Sequence, residues 1–594
     1  MSTGRCIWRL IRYRPRLYLF NALAITVIFL GFQAPGLLVR EFFNLLTDDA
    51  PARFDFFTIL ALFVAVGLGR IVGHLGTVLT NIPFMYSVAA LLQKNMLWRV
   101  LSMPGAAALP DAPGEAISRF RGDVDEIRLF ALWFNDLLAS VVCGVFAVAV
   151  MFYINAGIAL YAVVPMVAVV FLANAATRRI AHYRRTSRQA AGQVTGFVAE
   201  AFGAVQGIKV AAAERHVVGH FRRLNDARSE AALKDRLFNQ LLDSVFFNAI
   251  NLGTGVILVF SGEAIQDRSF TVGDFSLFVF YLGFVSEMTW MVGFMLARYK
   301  QAGVSFDRMR RLMQGAGDEE LVRHGPIYEK GDMPPVERPK RQEPLRLLRV
   351  RGLGYRYNGD GGGVEGVDLD IEPGSFTVVT GRIGSGKTTL LRALLGLVPA
   401  AAGKISWNDA PVDDPGTFLV PPRSAYTPQV PKLFSFPLRE NILMGEPEDE
   451  VDLEGAVRAA VLEDDIAELE KGLDTVVGPK GVRLSGGQVQ RSAAARMFAR
   501  DADLLVFDDL SSALDVETEK RLWERVFAKR QAGAACLVVS HRRPALRQAD
   551  HIVVLKDGRV EDRGALDELL ERCAEMQRLW QGDVGEPGAK GEKA

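Results

Sequence analysis

The chain changes pattern near its middle. The first half carries six long apolar runs, roughly Leu17 to Val39, Phe56 to Leu79, Phe130 to Ile154, Ile158 to Ala176, Val245 to Ile265 and Phe275 to Ala297. A helix that crosses a bilayer needs about 20 mainly apolar residues, so each run predicts one span. The second and sixth contain ionisable residues, which blurs their edges. A buried soluble core accounts for one such run. Six of them, joined pairwise by short links near Asp48, Asn155 and Gln266, predict a membrane domain. From Gly315 to Pro344 the chain turns polar and proline-containing (GDMPPVERPKRQEP) and reads as a linker. Beyond it, short apolar strands alternate with helices in an α/β layout.

Charge then orients the spans. Arg5, Arg9, Arg12, Arg14 and Arg16 precede the first run. Long connections follow the second and fourth runs, the latter opening with RRIAHYRRTSR at Arg178. Positive charge marks the cytoplasmic side, so both termini and both long connections are expected inside. Within those connections, Gly114 to Arg128 and Glu200 to Phe221 read as amphipathic helices. Each has a face suited to solvent or, at the far end of an intracellular excursion, to a second domain. The basic start, RLIRYRPRLYLF, leads into a run too long for a signal core. A net charge of +1 gives no support to a nucleic-acid surface. The four cysteines, Cys6, Cys143, Cys536 and Cys573, have no short spacing and predict neither a disulfide framework nor a zinc site.

The second half carries the chemistry. GRIGSGKTT, Gly381 to Thr389, follows the strand-like SFTVVT and precedes the helical LLRALLGL. It matches G-x4-G-K-[ST] in the strand–loop–helix setting that a phosphate-binding loop requires. Glycines let backbone N–H groups close around phosphate oxygens, and the helix N-terminus adds positive potential. Lys387 is placed to reach the β and γ phosphates, and Thr388 offers a hydroxyl to Mg2+. LLVFDD, Leu504 to Asp509, runs from a buried strand into two carboxylates, with Asp508 a natural magnesium ligand. LSGGQ, Leu484 to Gln488, places a serine and two glycines before another helix, hence a second potential anion site. One nucleotide has no use for two such sites on one chain. A head-to-tail dimer, in which the loop of one chain closes over the phosphates of the other, resolves this.

The set GRIGSGKT, LSGGQ, LLVFDD and SALD, in this order after six spans, resembles the ABC transporters, and specifically an exporter half-transporter. GEAISRFRGDVDEIR is similar to the first intracellular loop of such exporters, and TPQVPKLFSFPLRENILMG to their Q-loop region. FTVGDFSLFVFYLGF resembles the approach to their sixth helix. The implied fold is multidomain: an all-α six-helix transmembrane domain over 1–312, a linker over 313–344, an α/β P-loop nucleotide-binding domain over 345–582 and a polar tail over 583–594. The resemblance implies ATP and Mg2+ as cofactors and residue roles as follows. Tyr357 stacks on adenine, with Tyr355 close by. Gly381, Gly384, Ser385, Gly386, Lys387, Thr388 and Thr389 hold the phosphates. Gln429 contacts magnesium together with Thr388 and Asp508. Ser485, Gly486, Gly487 and Gln488 serve the opposite chain's ATP, Asp515 sits at the dimer seam, and His541 holds the γ-phosphate.

Two positions depart from the family pattern. Asp509 stands where Glu is usual for the catalytic base, and Leu510 where Pro is usual. Some heterodimeric exporters carry one weakened site with this Asp, so homodimer and heterodimer both stay open. The expected activity is ATP hydrolysis coupled to export, slowed at Asp509. The rival is an ATP-binding gating or regulatory subunit that barely hydrolyses. An importer is disfavoured because membrane and ATPase domains are fused, and a soluble nucleic-acid ATPase is excluded by the spans. Expected partners are a second half-transporter, membrane lipid and an unidentified cargo, and no nucleic acid. The expected location is the bacterial inner membrane with the ATP-binding domain in the cytoplasm. Within the sixth span, Glu287 is expected to face the bundle interior or water, with Arg70 or His74 of the second span as partners. Met288, Trp290, Met291 and Met295 would then border a cavity or pack between helices.

Overall fold

The computed structural model describes residues 1–47, 53–105, 109–110, 113–267, 269–329, 333–335, 343–357, 362–510, 514–531 and 533–582. The link at Asp48, residues 330–332 and 336–342 of the expected linker, the Ser511–Ala513 stretch and the 583–594 tail lie outside them. The chain divides into two compact units, Met1–Arg99 with Pro110–Glu329, and Val100–Leu109 with Lys330–Ala594.

In the first unit each apolar run lies inside a helix far longer than a bilayer requires. A short amphipathic helix, α1 (Thr3–Tyr13), buries Cys6, Ile7, Leu10 and Ile11. Pro15, suited to a first helical turn, opens α2 (Pro15–Thr47). There follow α3 (Phe56–Ser102), α4 (Pro113–Ser118), a π turn at Arg119–Asp123 and α5 (Val124–Ile154). Then come α6 (Ala156–Gly203), α7 (Val205–Val210), α8 (Glu214–Gln266) and α9 (Val272–Leu312). Among the described residues, the segments Pro15–Thr47, Phe56–Ser102, Gly114–Ile154 and Val272–Leu312 are long and apolar enough to cross a membrane. Parts of the fourth and fifth runs fall on side chains outside the described set. Asn155 caps α6 by accepting from the Ile158 N–H, and a capping box of Thr271 and Asp274 starts α9.

Packing follows the apolar faces. α5 packs against α2 and α9, and α6 against α8. Leu277, Phe278, Tyr281 and Leu282 of α9 are fully buried against Ala147 and Met151 of α5. Gly144 allows the approach of α5 to α9, since a Cβ there would run into the Met288 side chain. Polar pairs tie the same helices: Arg40 Nε donates to Asp274 Oδ1 at 2.6 Å, and Asn135 Nδ2 to Asn21 Oδ1 at 2.9 Å.

The two amphipathic stretches behave differently from each other. Along Gly114–Arg128, Asp123 and Glu126 find partners on α9, while Glu115, Ser118 and Arg121 stay exposed. Arg119 and Asp123 are buried, Ser305 Oγ donates to Asp123 Oδ1 at 2.9 Å, and Arg298 spans both oxygens of Glu126 at 2.9 Å. Glu200–Phe221 is broken into the end of α6, α7 and the start of α8. Phe202 and Val210 there are 76% and 90% exposed, so this turn keeps apolar side chains on its outside. Residues 313–329 of the expected linker pack within the first unit, where Leu321 and Val322 are buried.

The second unit holds two sheets. The strands are β1 (Leu348–Arg356), β2 (Gly363–Ile371), β3 (Phe376–Gly381), β4 (Ala402–Trp407), β5 (Ala410–Pro411) and β6 (Ser424–Thr427). β7 (Leu504–Asp508), β8 (Ala535–Val539), β9 (His551–Lys556) and β10 (Arg559–Gly564) complete them. An antiparallel sheet has the order β2-β1-β4-β5, and a mainly parallel sheet the order β10-β9-β3-β8-β7-β6. β3, β7 and β8 are buried along their whole length, as their unbroken apolar runs require. The register sets Val378 beside Val538 and Phe507 beside Val538. Phe507 is fully buried between Phe498 and Trp523, with ring centroids 6.2 Å from each. Phe507→Ala is expected to destabilise this unit by about 3–5 kcal/mol. Scanning calorimetry of the full chain checks this, as a transition moved to lower temperature.

Candidate functional site

Four adjacent parallel strands end on the same side of the larger sheet, and each ends in a residue singled out above. β3 ends at Gly381, β7 at Asp508, β8 just before His541, and β6 just before Gln429. Open parallel sheets bind ligands at this edge, because the strands deliver loop residues from several chain segments to one place. The residues line one cavity of about 670 Å3. Its floor is the loop of Gly381, Gly384, Gly386, Lys387, Thr388 and Thr389. Around it stand Gln429, Asp508, Asp509 and His541, with Tyr357 at the side.

The loop needs its glycines. Gly381, Gly384 and Gly386 have φ of +149°, +83° and +97°. Gly386 precedes the helix Lys387–Leu394 in a left-handed conformation, and a Cβ there would meet Val364 Cγ1 at 2.7 Å and the Gly363 carbonyl oxygen at 2.8 Å. Gly386→Ala is therefore expected to distort the loop and weaken nucleotide binding at least about tenfold, equivalent to 1.4 kcal/mol. Titration with a fluorescent ATP analogue reads it. Lys387 Nζ donates to the carbonyls of Gly381 and Arg382, both at 2.7 Å. Burial pulls the Lys387 pKa below the ordinary lysine value, opposed by Asp509 and Asp508.

Asp508 is almost fully buried. Its Oδ1 accepts from Thr388 Oγ1 at 3.0 Å and its Oδ2 from the Tyr426 hydroxyl at 3.4 Å. Burial raises its pKa, while these hydrogen bonds and Arg392 work the other way. Thr388 and Asp508 thus place a hydroxyl and a carboxylate oxygen side by side, with the Gln429 side chain in the same cavity. Hard oxygen donors in this small number suit Mg2+, which completes its shell with phosphate and water. Ser385 Oγ is buried with no hydrogen-bond partner among the described residues, which fits a loop built to take further acceptors. Asp509 has φ +54° and its N–H donates to the Val539 carbonyl at 3.1 Å. Leu510 is buried in the core beneath it.

Other expected residues lie elsewhere. Ser485 caps the helix Gly486–Phe498 in a capping box with Gln488, whose Nε2 also donates to Asp465 Oδ1 at 3.0 Å. With Gly486 and Gly487 they stand outside the loop cavity. Asp515 is likewise outside it and caps the helix Val516–Gln531, accepting from the N–H groups of Glu517 and Thr518 at 3.1 and 3.0 Å. The Thr518 contact leads in holding its carboxyl below the usual range. Of the two tyrosines, Tyr357 lines the cavity and Tyr355 packs against the core, their rings edge to face at 4.9 Å. Sequence reasoning missed Arg392 and Tyr426. Arg392 interacts with Tyr357 and Tyr426, and so links the cavity side to Asp508. Arg392 lies four residues after Thr388, on the face of the same helix, and that spacing was the available signal.

In the membrane unit the partners expected for Glu287 are not found. The Arg70 guanidinium lies over the Phe32 ring, 4.0 Å from its centroid, and among the described residues no ion pair joins Glu287 to Arg70 or His74. Met288 packs on Gly144 and Met295 is buried, so these two serve helix packing.

Fold and site define a membrane-spanning helical domain fused to a P-loop nucleotide hydrolase. Residues 21–288 match the family described as the ABC transporter transmembrane region, and residues 364–512 match the ABC transporter family. The chain belongs to the ABC transporters, as an exporter-type half-transporter that couples ATP hydrolysis to export. It is 27% identical over 533 residues to an ATP-dependent lipid A-core flippase of Chromohalobacter salexigens, covering 88% of this chain and 87% of that one. It is 28% identical over 403 residues to the probable multidrug resistance ABC transporter ATP-binding/permease protein YheI of Bacillus subtilis, covering 65% of each. Its fold resembles that of a bacterial Atm1-family ABC exporter with ATP bound, with TM-score 0.75, 22% identity and coverage of 98% and 99%.

Proposed function

We propose that this chain pairs with a second half-transporter, binds MgATP at the Gly381–Thr389 loop, and exports an amphipathic molecule across a bacterial inner membrane with its nucleotide domain in the cytoplasm. The observation that carries the reading is the meeting of Gly381, Gln429, Asp508 and His541 at four neighbouring strand ends. In this reading Lys387 and the loop amides bind the β and γ phosphates. Thr388, Asp508 and Gln429 hold Mg2+, which neutralises phosphate charge when bound. Asp509 accepts a proton from the attacking water, and His541 orients the γ-phosphate. Tyr357 supports the base. The amphipathic cargo is supported by relatives named as a lipid A-core flippase and a multidrug transporter.

Ser485, Gly486, Gly487 and Gln488 stand outside their own chain's cavity, which suits service to the partner's nucleotide. A cross-link tests this. The native cysteines, Cys6, Cys143, Cys536 and Cys573, are all buried, so introduced thiols react alone. With Ile383→Cys beside the loop and Ser485→Cys, ATP and oxidant are expected to give a dimer band, absent from either single variant. A band from this chain alone means a homodimer. Its absence from ATP-loaded protein removes head-to-tail self-pairing and leaves a different chain as partner.

A further inference from the structure

The helix Ala574–Gln581, the last among the described residues, has no part in the roles above. It is tied at two separate points to segments that wall the nucleotide cavity. In its first turn, Glu575 Oε1 accepts from Arg382 Nε at 2.6 Å. Arg382 is the second residue of the phosphate loop. In its last turn, the Trp580 carbonyl accepts from Arg543 Nη2 at 2.8 Å, and the Arg543 guanidinium lies 5.1 Å from the Trp580 ring centroid. Arg543 stands two residues after His541. From Glu575 to Trp580 the helix rises about 7.5 Å. One short rod therefore joins the loop that carries Lys387 to the segment that carries His541.

The first tie bears directly on the phosphates. The Arg382 carbonyl accepts from Lys387 Nζ at 2.7 Å and from the Ser385 N–H at 3.1 Å. One residue thus holds the lysine with its backbone and the helix with its side chain. Between Arg382 and Lys387, two glycines have no side chain, Ile383 is exposed, and Ser385 Oγ has no hydrogen-bond partner among the described residues. Stability alone gives no reason for the Arg382–Glu575 pair. The Glu575 side chain is 3% exposed, so its charge is stripped of water. A buried ion pair gains little over apolar residues of similar volume, while the loss of one partner leaves a costly unpaired charge. Met576 and Leu579 already anchor this helix in the core. The pair adds what they lack, a directed contact between two set atoms.

We propose that the helix Ala574–Gln581 is a spacer between the phosphate loop and His541, with Glu575 and Arg543 as the positioning residues at its two ends. The spacer sets where Lys387 and His541 meet the γ-phosphate. The proposal rests on the reading of the Gly381–Thr389 loop as the MgATP site and adds a control on its geometry. ATP differs from ADP by that phosphate alone. A lost spacer therefore weakens ATP more than ADP. It slows the hydrolysis step most, because that step depends on alignment to within about 1 Å. A helix that only completes the core would, on loosening, weaken both nucleotides alike.

The test compares Glu575→Gln and Arg543→Ala with the unaltered full chain. Non-hydrolysable fluorescent ATP and fluorescent ADP, each with Mg2+, give the two affinities. Single-turnover hydrolysis gives the rate, and the melting temperature without nucleotide gives the stability. Each variant is expected to lower the ratio of ATP to ADP affinity and to slow hydrolysis about tenfold. Arg543 is exposed, so its replacement leaves the fold intact even where Glu575→Gln does not. Arg382→Met combined with Glu575→Leu restores stability by apolar packing without the charged contact, and is expected to stay slow. A wild-type rate with an unchanged affinity ratio in Arg543→Ala, or recovery of both in the paired apolar variant, would overturn the proposal. Lys387→Ala, measured alongside, judges the site reading separately. If it still binds the ATP analogue as wild type does, the site reading fails. If it loses binding while Glu575→Gln and Arg543→Ala behave as wild type, the spacer alone fails.

Discussion

Lys387→Ala brings ATP hydrolysis by the purified protein to background. The Lys387 ammonium has three donors, and two of them are used by the carbonyls of Gly381 and Arg382 at 2.7 Å. Those two bonds hold the side chain across the loop and leave the third donor and the whole charge for phosphate. Burial disfavours that charge in the protein alone, as its lowered pKa records. A triphosphate supplies the missing counter-charge, and hydrogen bonds between ionised partners are roughly twice as strong as neutral ones. Alanine removes the charge, the donors and the brace on the loop together. Steady-state hydrolysis is the measurement. More than half of the wild-type rate in the folded variant would remove the phosphate role of this lysine.

Asp509→Glu speeds single-turnover hydrolysis, and Asp509→Asn slows it. A general base must come within hydrogen-bond reach of the water it deprotonates, about 3 Å or one further water away. The extra methylene of Glu advances the carboxylate by roughly 1 Å, and a misplacement of that size costs on the order of 100-fold. The backbone adds a second term. Asp509 sits at φ +54°, where a short polar side chain is tolerated better than a long one. Glu is expected to cost the domain about 1 kcal/mol there. That strain is present before and during hydrolysis, so it lowers stability and leaves the gain in rate. Leu510, buried in the core, and the Asp509 N–H bond to the Val539 carbonyl hold the turn in place. If Asp509→Glu is no faster, the carboxylate already reaches the water from this turn. If Asp509→Asn is no slower, the base lies elsewhere.

What the sequence revealed, and what it concealed, divides by the range of the interaction. The loop, both aspartates, Gln429 and His541 were readable because each is fixed by its own strand end. Parallel strands then bring those ends together without further instruction. Arg392 and Tyr426 escaped notice because their value lies in touching Tyr357 and Asp508, contacts that only the folded sheet creates. The partners of Asp123 and Glu126 were hidden for the same reason, since Ser305 and Arg298 lie far along the chain. Arg70 went wrong in an instructive way: a cation near membrane depth was matched to a carboxylate, and the structure instead sets it on the Phe32 ring. Ser485 and Asp515 were read through their expected partners, while locally each also does the work of a helix cap.

Helix α8 has 53 residues, which at 1.5 Å per residue makes a rod of about 80 Å. The hydrocarbon layer is only about 30 Å thick, so some 50 Å of the rod stands clear of it. A tilt of a few degrees where the rod enters the bilayer moves its far end by several ångströms. Small angular changes among tightly packed membrane segments are therefore geared up to the size of a side chain at the tip, and displacements of that size at the tip are geared down to fine adjustments at the level of the span.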